Sequence, residues 1–340
     1  MKKHLKDVVR KYDTIDKSKY DYVLNQSERT IPIPGFQKFL QSINQEDFFF
    51  YPNTESLKEL ICEYHCLQYN QLFLCAGSDV GIKAVFETFT NGGRVITSDP
   101  SFPMYKVYSE LYQCEYFGIP HEKDYTISME KILSNITHDT DLIILANPNS
   151  PMGEHKSFDE IRILLEQGVP TLIDEAYIEF MDEPGLLKYI DEYPNLIITR
   201  TFSKAYGAAG CRVGMVFSNK DNIEMISKFR HMYEISNVSM KFCKHLINEV
   251  DLVDTYVEEI VKEKEELISM MKDFDVIDSN CNWIHFNNKI DNIDTIRIFD
   301  KHKVLAKFCS IPHDDRKNWC RLTIQPDITK QKFIKELLCI

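Results

Sequence analysis

Five short apolar runs constrain the fold of this chain more than any other feature: Leu72-Phe73-Leu74, Arg94-Val95-Ile96-Thr97, Leu142-Ile143-Ile144-Leu145, Thr171-Leu172-Ile173 and Leu196-Ile197-Ile198-Thr199. Each is too short for a helix and suits a strand buried on both faces. Segments with helical periodicity, such as residues 80–89, lie between them. The last three runs recur at roughly 30 residues, the length of a strand–helix–strand unit. This alternation predicts a mostly parallel sheet covered by helices on both faces.

Past Gly214 the character changes. Residues 220–250 and 251–274 read as long charged helices, the second with Leu252, Val253, Tyr256, Ile260, Val261, Leu267 and Met270 as its apolar positions. Trp283-Ile284-His285-Phe286 and Arg321-Leu322-Thr323-Ile324 read as strands of a smaller α/β unit, on which residues 1–45 are expected to pack. The expected division is a large domain over 46–220 and a small one built from 1–45 and 221–340. No Gly/Ser-rich linker separates them.

Bulk properties exclude several classes of function. A chain of 340 residues, 44% hydrophobic, can bury a sizeable core. A formal net charge of -12 argues against a nucleic-acid or anionic-membrane surface and leaves a small-molecule substrate as the expected partner. The charged N-terminus, Met1 to Arg10, precedes no apolar run, and no stretch approaches a membrane span, so the cytoplasm is the expected location. Ten cysteines without a repeated spacing read as reduced thiols. Cys62 and Cys66 would share a helical face but lack a second ligand pair, so no metal site is expected.

In open α/β sheets ligands bind beyond the carboxyl ends of the strands, so the polar residues after each run are the candidates. Gly77-Ser78-Asp79 follows the first run, where Ser78 can cap a helix whose free N–H groups attract an anion. Asn147, after the third run, has a side-chain amide able to donate to a ring oxygen. Asp174-Glu175-Ala176-Tyr177 follows the fourth; a carboxylate facing a pyridine nitrogen keeps it protonated and able to draw electrons from a carbanion. Thr201-Phe202-Ser203-Lys204 follows the fifth, with Arg212 eight residues on. Burial there disfavours the ammonium form of Lys204 and offers a nucleophilic amine, while Thr201, Ser203 and Arg212 suit a phosphate dianion. Alone, each is explained by a turn, a helix cap or a surface lysine. Their coincidence at successive strand ends is not.

With Tyr51-Pro52, Pro100-Ser101-Phe102, the run Asn147-Pro148-Asn149-Ser150-Pro151-Met152-Gly153 and Arg321-Leu322-Thr323-Ile324 added, the set resembles the fold-type I pyridoxal-phosphate aminotransferases. The resemblance is closest to the histidinol-phosphate aminotransferase-like group and runs from about Tyr51 to the C-terminus. It implies an α/β fold with a mostly parallel seven-stranded sheet between helices, plus a smaller α/β domain. It also implies pyridoxal 5'-phosphate as cofactor, joined to Lys204 as a Schiff base, with Lys204 then moving the proton in the 1,3-transfer. Asp174 would meet the pyridine nitrogen, Asn147 and Tyr177 the phenolic oxygen, and Phe102 the ring face. Gly77, Ser78, Asp79, Thr201, Ser203 and Arg212 would form the phosphate site. Tyr51 would reach the cofactor phosphate of a neighbouring subunit, implying a homodimer with shared sites. Arg321 matches the arginine that binds the substrate's anionic group, and Lys307 and Asn282 complete the expected substrate residues.

Two departures fall on the substrate side. The histidinol-phosphate group carries a second arginine shortly before the one matched by Arg321; here Lys303-Val304-Leu305-Ala306 is followed by Lys307, which keeps the charge and loses the fork. Arg316 is a candidate replacement. Lys19-Tyr20-Asp21-Tyr22 and Leu24-Asn25-Gln26-Ser27-Glu28 stand where that group has Pro-Tyr-x-Pro-Gly and Asn-Glu-Asn-Pro. The expected activity is therefore exchange of an amino group between an amino donor and a keto acceptor, at least one small and anionic. Histidinol phosphate is one such compound and is not singled out. Two alternatives stand beside it. One is decarboxylation of a phosphorylated amino acid, which differs in the bond held perpendicular to the ring. The other is a non-catalytic protein of the same fold, against which Lys204 and Asp174 argue.

Overall fold

The computed structural model describes residues 3–6, 8–9, 15–288, 293–314 and 319–340; Arg316 lies outside them. In chain order the strands are β1 (Tyr22–Val23), β2 (Leu72–Cys75), β3 (Arg94–Asp99), β4 (Glu115–Pro120), β5 (Thr140–Ala146), β6 (Thr171–Asp174) and β7 (Leu196–Thr201). They continue with β8 (Gly214–Phe217), β9 (Phe274–Ile277), β10 (Trp283–Asn288), β11 (Val304–Leu305), β12 (Lys307–Cys309) and β13 (Trp319–Thr323).

Seven of them form one sheet in the order β2-β8-β7-β6-β5-β3-β4. The five apolar runs become β2, β3, β5, β6 and β7. Leu142, Ile143, Ile144, Ile197 and Ile198 are wholly buried, as strands covered on both faces require, each contributing roughly 1.5–3 kcal/mol of burial. All pairings except those of β8 are parallel; β8 runs antiparallel to both β7 and β2. The link from β7 to β8, residues 202–213, holds no long helix to carry a parallel crossover, so the chain returns antiparallel.

A second sheet, β12-β13-β10-β9, is antiparallel, and β1 pairs with β11. The N-terminal segment joins this small unit: Leu24 N–H donates to Leu305 O at 2.7 Å and accepts at its own carbonyl from Thr323 N–H at 3.1 Å. Further on it touches the other body, with Phe39 against Phe242 at 4.8 Å between ring centroids.

The stretch 220–250 is two helices, Lys220–Ser227 and Asn237–Asn248, divided where Ser236 caps the second by accepting from Ser239 N–H. The first packs on the helix Ser78–Phe89 and on β2, and the second on the helix Glu55–Tyr64, so the chain stays against the large sheet past residue 220. The next helix, Val250–Met270, buries Val253, Tyr256, Ile260 and Leu267 together with Lys264, whose ammonium donates to the Ser279 carbonyl. The helix Glu55–Tyr64 ends before Cys66, which is exposed at φ 55° while Cys62 is buried, so these cysteines do not share a helical face. Among the described residues no helix is long and apolar enough to cross a membrane.

Candidate active site

The carboxyl ends of β5, β6 and β7 meet in register, with Ala146 opposite Asp174 and Asp174 opposite Thr199. Asp174 is buried; its Oδ1 accepts from Thr199 Oγ1 at 2.9 Å and its Oδ2 from the Tyr105 hydroxyl at 2.8 Å. Burial raises the carboxyl pKa, while those two bonds and one from the Ala176 backbone oppose the rise. The carboxylate is thus held in place by neutral donors, with its charge uncompensated by any of them.

Beside it lies a cradle for an anion. Gly77, at φ 88°, precedes the helix Ser78–Phe89 and is its N-cap; Ser78 is the first helical residue and not the cap expected of it. The first N–H groups of the helix therefore keep their bonding capacity. A Cβ on Gly77 would stand 2.9 Å from the Cζ of Arg212, and the Arg212 guanidinium lies against this turn only because Gly77 has none. Gly214 is equally constrained, for its Cβ would overlap the Gly77–Ser78 backbone. Arg212 Nη1 reaches Ser203 Oγ at 3.5 Å, and Thr201 Oγ1 donates to Ser203 Oγ at 3.0 Å while accepting from Ser203 N–H at 3.1 Å. The Asp79 carboxylate accepts from the Tyr108 hydroxyl at 2.9 Å.

Lys204 is half-buried; its Nζ donates to the Gln26 carbonyl at 2.9 Å and lies 5.4 Å from the centre of the Tyr177 ring. Tyr177 in turn stands edge-on to Trp283 at 4.7 Å, which joins the large sheet to the small one. An inner cavity of about 180 Å³ is lined by Ser78, Phe102, Asp174, Ser203, Lys204 and Arg212, among others. It continues into an outer one of about 920 Å³ whose far wall includes Gln26, Glu28, His285, Lys307 and Arg321. Arg321 is buried, donates from Nη2 to the Asn25 carbonyl at 3.1 Å and packs 5.1 Å over the Trp283 ring. Lys307 faces it across β12 and β13, and the desolvation of its ammonium, then Arg321, hold its pKa below the ordinary lysine value.

Three expected residues lie outside this cavity, of which Tyr51 is the one expected to reach a neighbouring subunit's site. Asn147 donates from Nδ2 to Lys156 O at 2.9 Å and accepts at Oδ1 from Lys156 N–H at 2.7 Å, so its amide braces a loop and does not line the inner cavity. Ser150, three residues on, lines it instead. Both lie in the run Asn147-Pro148-Asn149-Ser150-Pro151, where composition does not tell which polar side chain turns inward. Asn282 is buried and donates to the Ser27 carbonyl at 3.3 Å, bracing the N-terminal segment outside the cavity lining. Tyr51 is 78% exposed and stacks on Tyr233 at 4.3 Å, away from this chain's own cavity. Unforeseen members are Tyr105, Thr199, Ser150 and His285. Tyr105 and Thr199 could have been found as residues close in sequence or register to Phe102 and Asp174, whereas His285 left no signal beyond its place in the strand with Trp283.

The pattern of the aminotransferase class I and II family matches residues 18–337. The chain belongs to that family. It is 31% identical over 338 residues to a histidinol-phosphate aminotransferase of Lactococcus lactis subsp. cremoris (strain SK11), covering 93% of this chain and 91% of that one. The structure of histidinol-phosphate aminotransferase from Sinorhizobium meliloti in complex with pyridoxal-5'-phosphate superposes with a TM-score of 0.85 at 19% identity, covering 99% of this chain and 95% of that chain. L-threonine-O-3-phosphate decarboxylase from Porphyromonas gingivalis superposes at 0.79 and 20% identity, covering 93% and 98%. Within the family the chain is a fold-type I pyridoxal-phosphate enzyme of the histidinol-phosphate aminotransferase-like group.

Proposed function

We propose that this protein is a pyridoxal-phosphate-dependent aminotransferase exchanging an amino group between an amino donor and a keto acceptor, at least one of them small and anionic. The observation that carries it is a single cavity with an amine, a buried carboxylate and an anion cradle on its inner wall and two cations, Lys307 and Arg321, on its outer wall. The donor set fits the cofactor. Thr201, Ser203, Arg212 and the N–H groups of Ser78 and Asp79 would hold its phosphate, and Asp174 would hold the proton of the pyridine nitrogen. Tyr177 and Ser150 would meet the phenolic oxygen, in place of the Asn147 amide, and Phe102 would cover the ring. When bound, the cofactor supplies an aldehyde for the lysine and a ring that accepts electrons from Cα.

Lys204 would be the covalent and proton-moving residue: its Nζ, set by the Gln26 carbonyl, would take the proton from the substrate Cα and return it at the carbon beyond the substrate nitrogen. Arg321 and Lys307 would seat the anionic group and so orient the substrate. Tyr51 would serve a second copy. Phe48, Phe49, Phe50 and Tyr51 are each about 70% exposed or more, and a homodimer covering them would carry Tyr51 toward the partner's cofactor phosphate.

A half-reaction tests this. Anionic amino donors added to the holoenzyme should convert the cofactor to its aminated form, read from its absorbance. The backbone shared with the Porphyromonas gingivalis decarboxylase supports a second reading, decarboxylation of a phosphorylated amino acid. Carbon dioxide release with no cofactor conversion by any donor would establish that one and sink the first.

A further inference from the structure

The outer wall carries a polar residue, His285, that the chemistry above leaves unused; the Glu28 carboxylate on the same wall is already paired with Lys17 at 2.6 Å. Strands β12, β13 and β10 set Lys307 opposite Arg321 and Arg321 opposite His285. Directly opposed residues of antiparallel strands share a face. Trp283, two residues before His285 and so on that same face, identifies it by touching both Tyr177 and Arg321. The row Lys307–Arg321–His285 therefore faces the cavity, and all three residues line it.

His285 is fully buried, and neither ring nitrogen has a hydrogen-bond partner among the described residues. A neutral imidazole carries one donor and one acceptor, and buried side chains ordinarily satisfy such groups. Burial, then Arg321 and Lys307, keep this ring neutral and pull its pKa down to about 3. The Arg321 Nε is also without a partner among the described residues. On the far side of His285 the row ends in Ile277 of β9, so an apolar residue could have continued it. Nothing in the packing calls for two nitrogens here.

We propose that His285 is a specificity-determining residue, the neutral donor that completes with Arg321 and Lys307 a seat for a dianionic oxyanion tail on the substrate. The count of charges and donors supports this. Two cations match two negative charges, and three donor side chains suit a tail with three terminal oxygens, such as a phosphate monoester or phosphonate. A carboxylate has one charge and two oxygens, both met by the Arg321 fork, which would leave Lys307 and His285 without a role. A neutral third member also adds a donor without a third positive charge. The proposal rests on the aminotransferase reading of the cavity.

The test uses the holoenzyme, whose cofactor fills the inner cradle, titrated calorimetrically at pH 8 with inorganic phosphate and, as monoanion control, acetate. His285→Leu should weaken phosphate binding about tenfold or more, as loss of one bond to a charged group does, and leave acetate unchanged. His285→Gln, which keeps a donor, should recover most of the loss. In turnover, KM for a phosphorylated donor should rise with kcat retained. Phosphate affinity unchanged in both His285 variants but lost in Arg321→Gln would overturn the role of His285 alone. Affinity unchanged in Arg321→Gln as well would overturn the outer wall as an anion seat. Turnover of unphosphorylated donors and carbon dioxide release judge the aminotransferase reading separately. Should the leucine variant fail to fold, His285→Met and His285→Gln carry the same comparison.

Discussion

The inner and outer walls of one cavity are built on different terms. Inside, polar side chains bond one another across a buried parallel sheet: Asp174 with Thr199 and Tyr105, Thr201 with Ser203, Ser203 with Arg212. Outside, the cations lean on backbone carbonyls of the segment 24–28, Arg321 on Asn25 and, reaching from within, Lys204 on Gln26. That segment is itself tied by Lys17, whose ammonium donates to Gln26 Oε1 at 2.8 Å and Glu28 Oε2 at 2.6 Å. Side chains that hold each other before a ligand arrives suit a ligand that never changes, because their geometry is set in advance. Carbonyls are neutral acceptors that an anion can replace at a cation, which suits ligands that come and go. The contrast supports the proposed placement of the cofactor at the inner wall and the substrate at the outer.

The largest test of this contrast is Lys204→Ala, expected to lower turnover by at least about a thousandfold and to abolish borohydride-fixable cofactor, with the circular dichroism of the fold intact. Turnover above one percent or so would break the covalent role of the inner wall. Arg321→Gln should instead raise KM for the anionic substrate roughly 10- to 100-fold with kcat within a few-fold, since it removes a charge-assisted fork and leaves the chemistry alone. An equal fall in kcat would move Arg321 to the inner side of the comparison. The correction within the Asn147–Ser150 turn gives a sharper pair. Asn147→Ala loses both bonds to Lys156 and should destabilise the fold by about 1–2 kcal/mol in urea without altering the cofactor's absorbance. Ser150→Ala should do the reverse, shifting the pH at which that absorbance titrates and leaving stability within about 0.5 kcal/mol.

The same contrast governs what could be read from the sequence. Strands buried on both faces, β5, β6 and β7, announce themselves as continuous apolar runs, and the residues at their ends follow from topology alone, so Asp174, Ser203 and Lys204 were legible. Strand β4, at the sheet edge with Glu115 and Pro120 exposed, carries no such run, and β8 is hidden behind the lysine loop. On the outer wall, legibility failed for another reason. Lys307, Arg321 and His285 come from three strands, and their row exists only once antiparallel pairing sets the register. Asn282 is polar, buried and adjacent in sequence to this row, yet its amide serves Ser27, a partner 255 residues away. Asn147 differs for a more local reason: its pair of loop bonds to Lys156 turns its amide away, and Ser150 lines the cavity instead.

The smallest expected effect concerns the cost of the outer row to the fold without substrate. His285 has a native pKa of about 3, below the ordinary value of 6.5, so the unfolded chain takes up the proton first. Stability contributed by the neutral ring is therefore complete above about pH 6.5 and is lost as the pH falls from there toward 3. Between pH 7.5 and 5.5 the linkage amounts to about 1.4 kcal/mol, or on the order of 2 °C in melting temperature for a protein of this size. His285→Leu should remove that part of the acid slope while leaving the share of His65, whose pKa burial also lowers to about 3 and which lies on the large-sheet side. A leucine variant with the wild-type slope would mean that His285 reaches solvent or a partner in the native state, and the difference between the two walls would then lie in their cations alone.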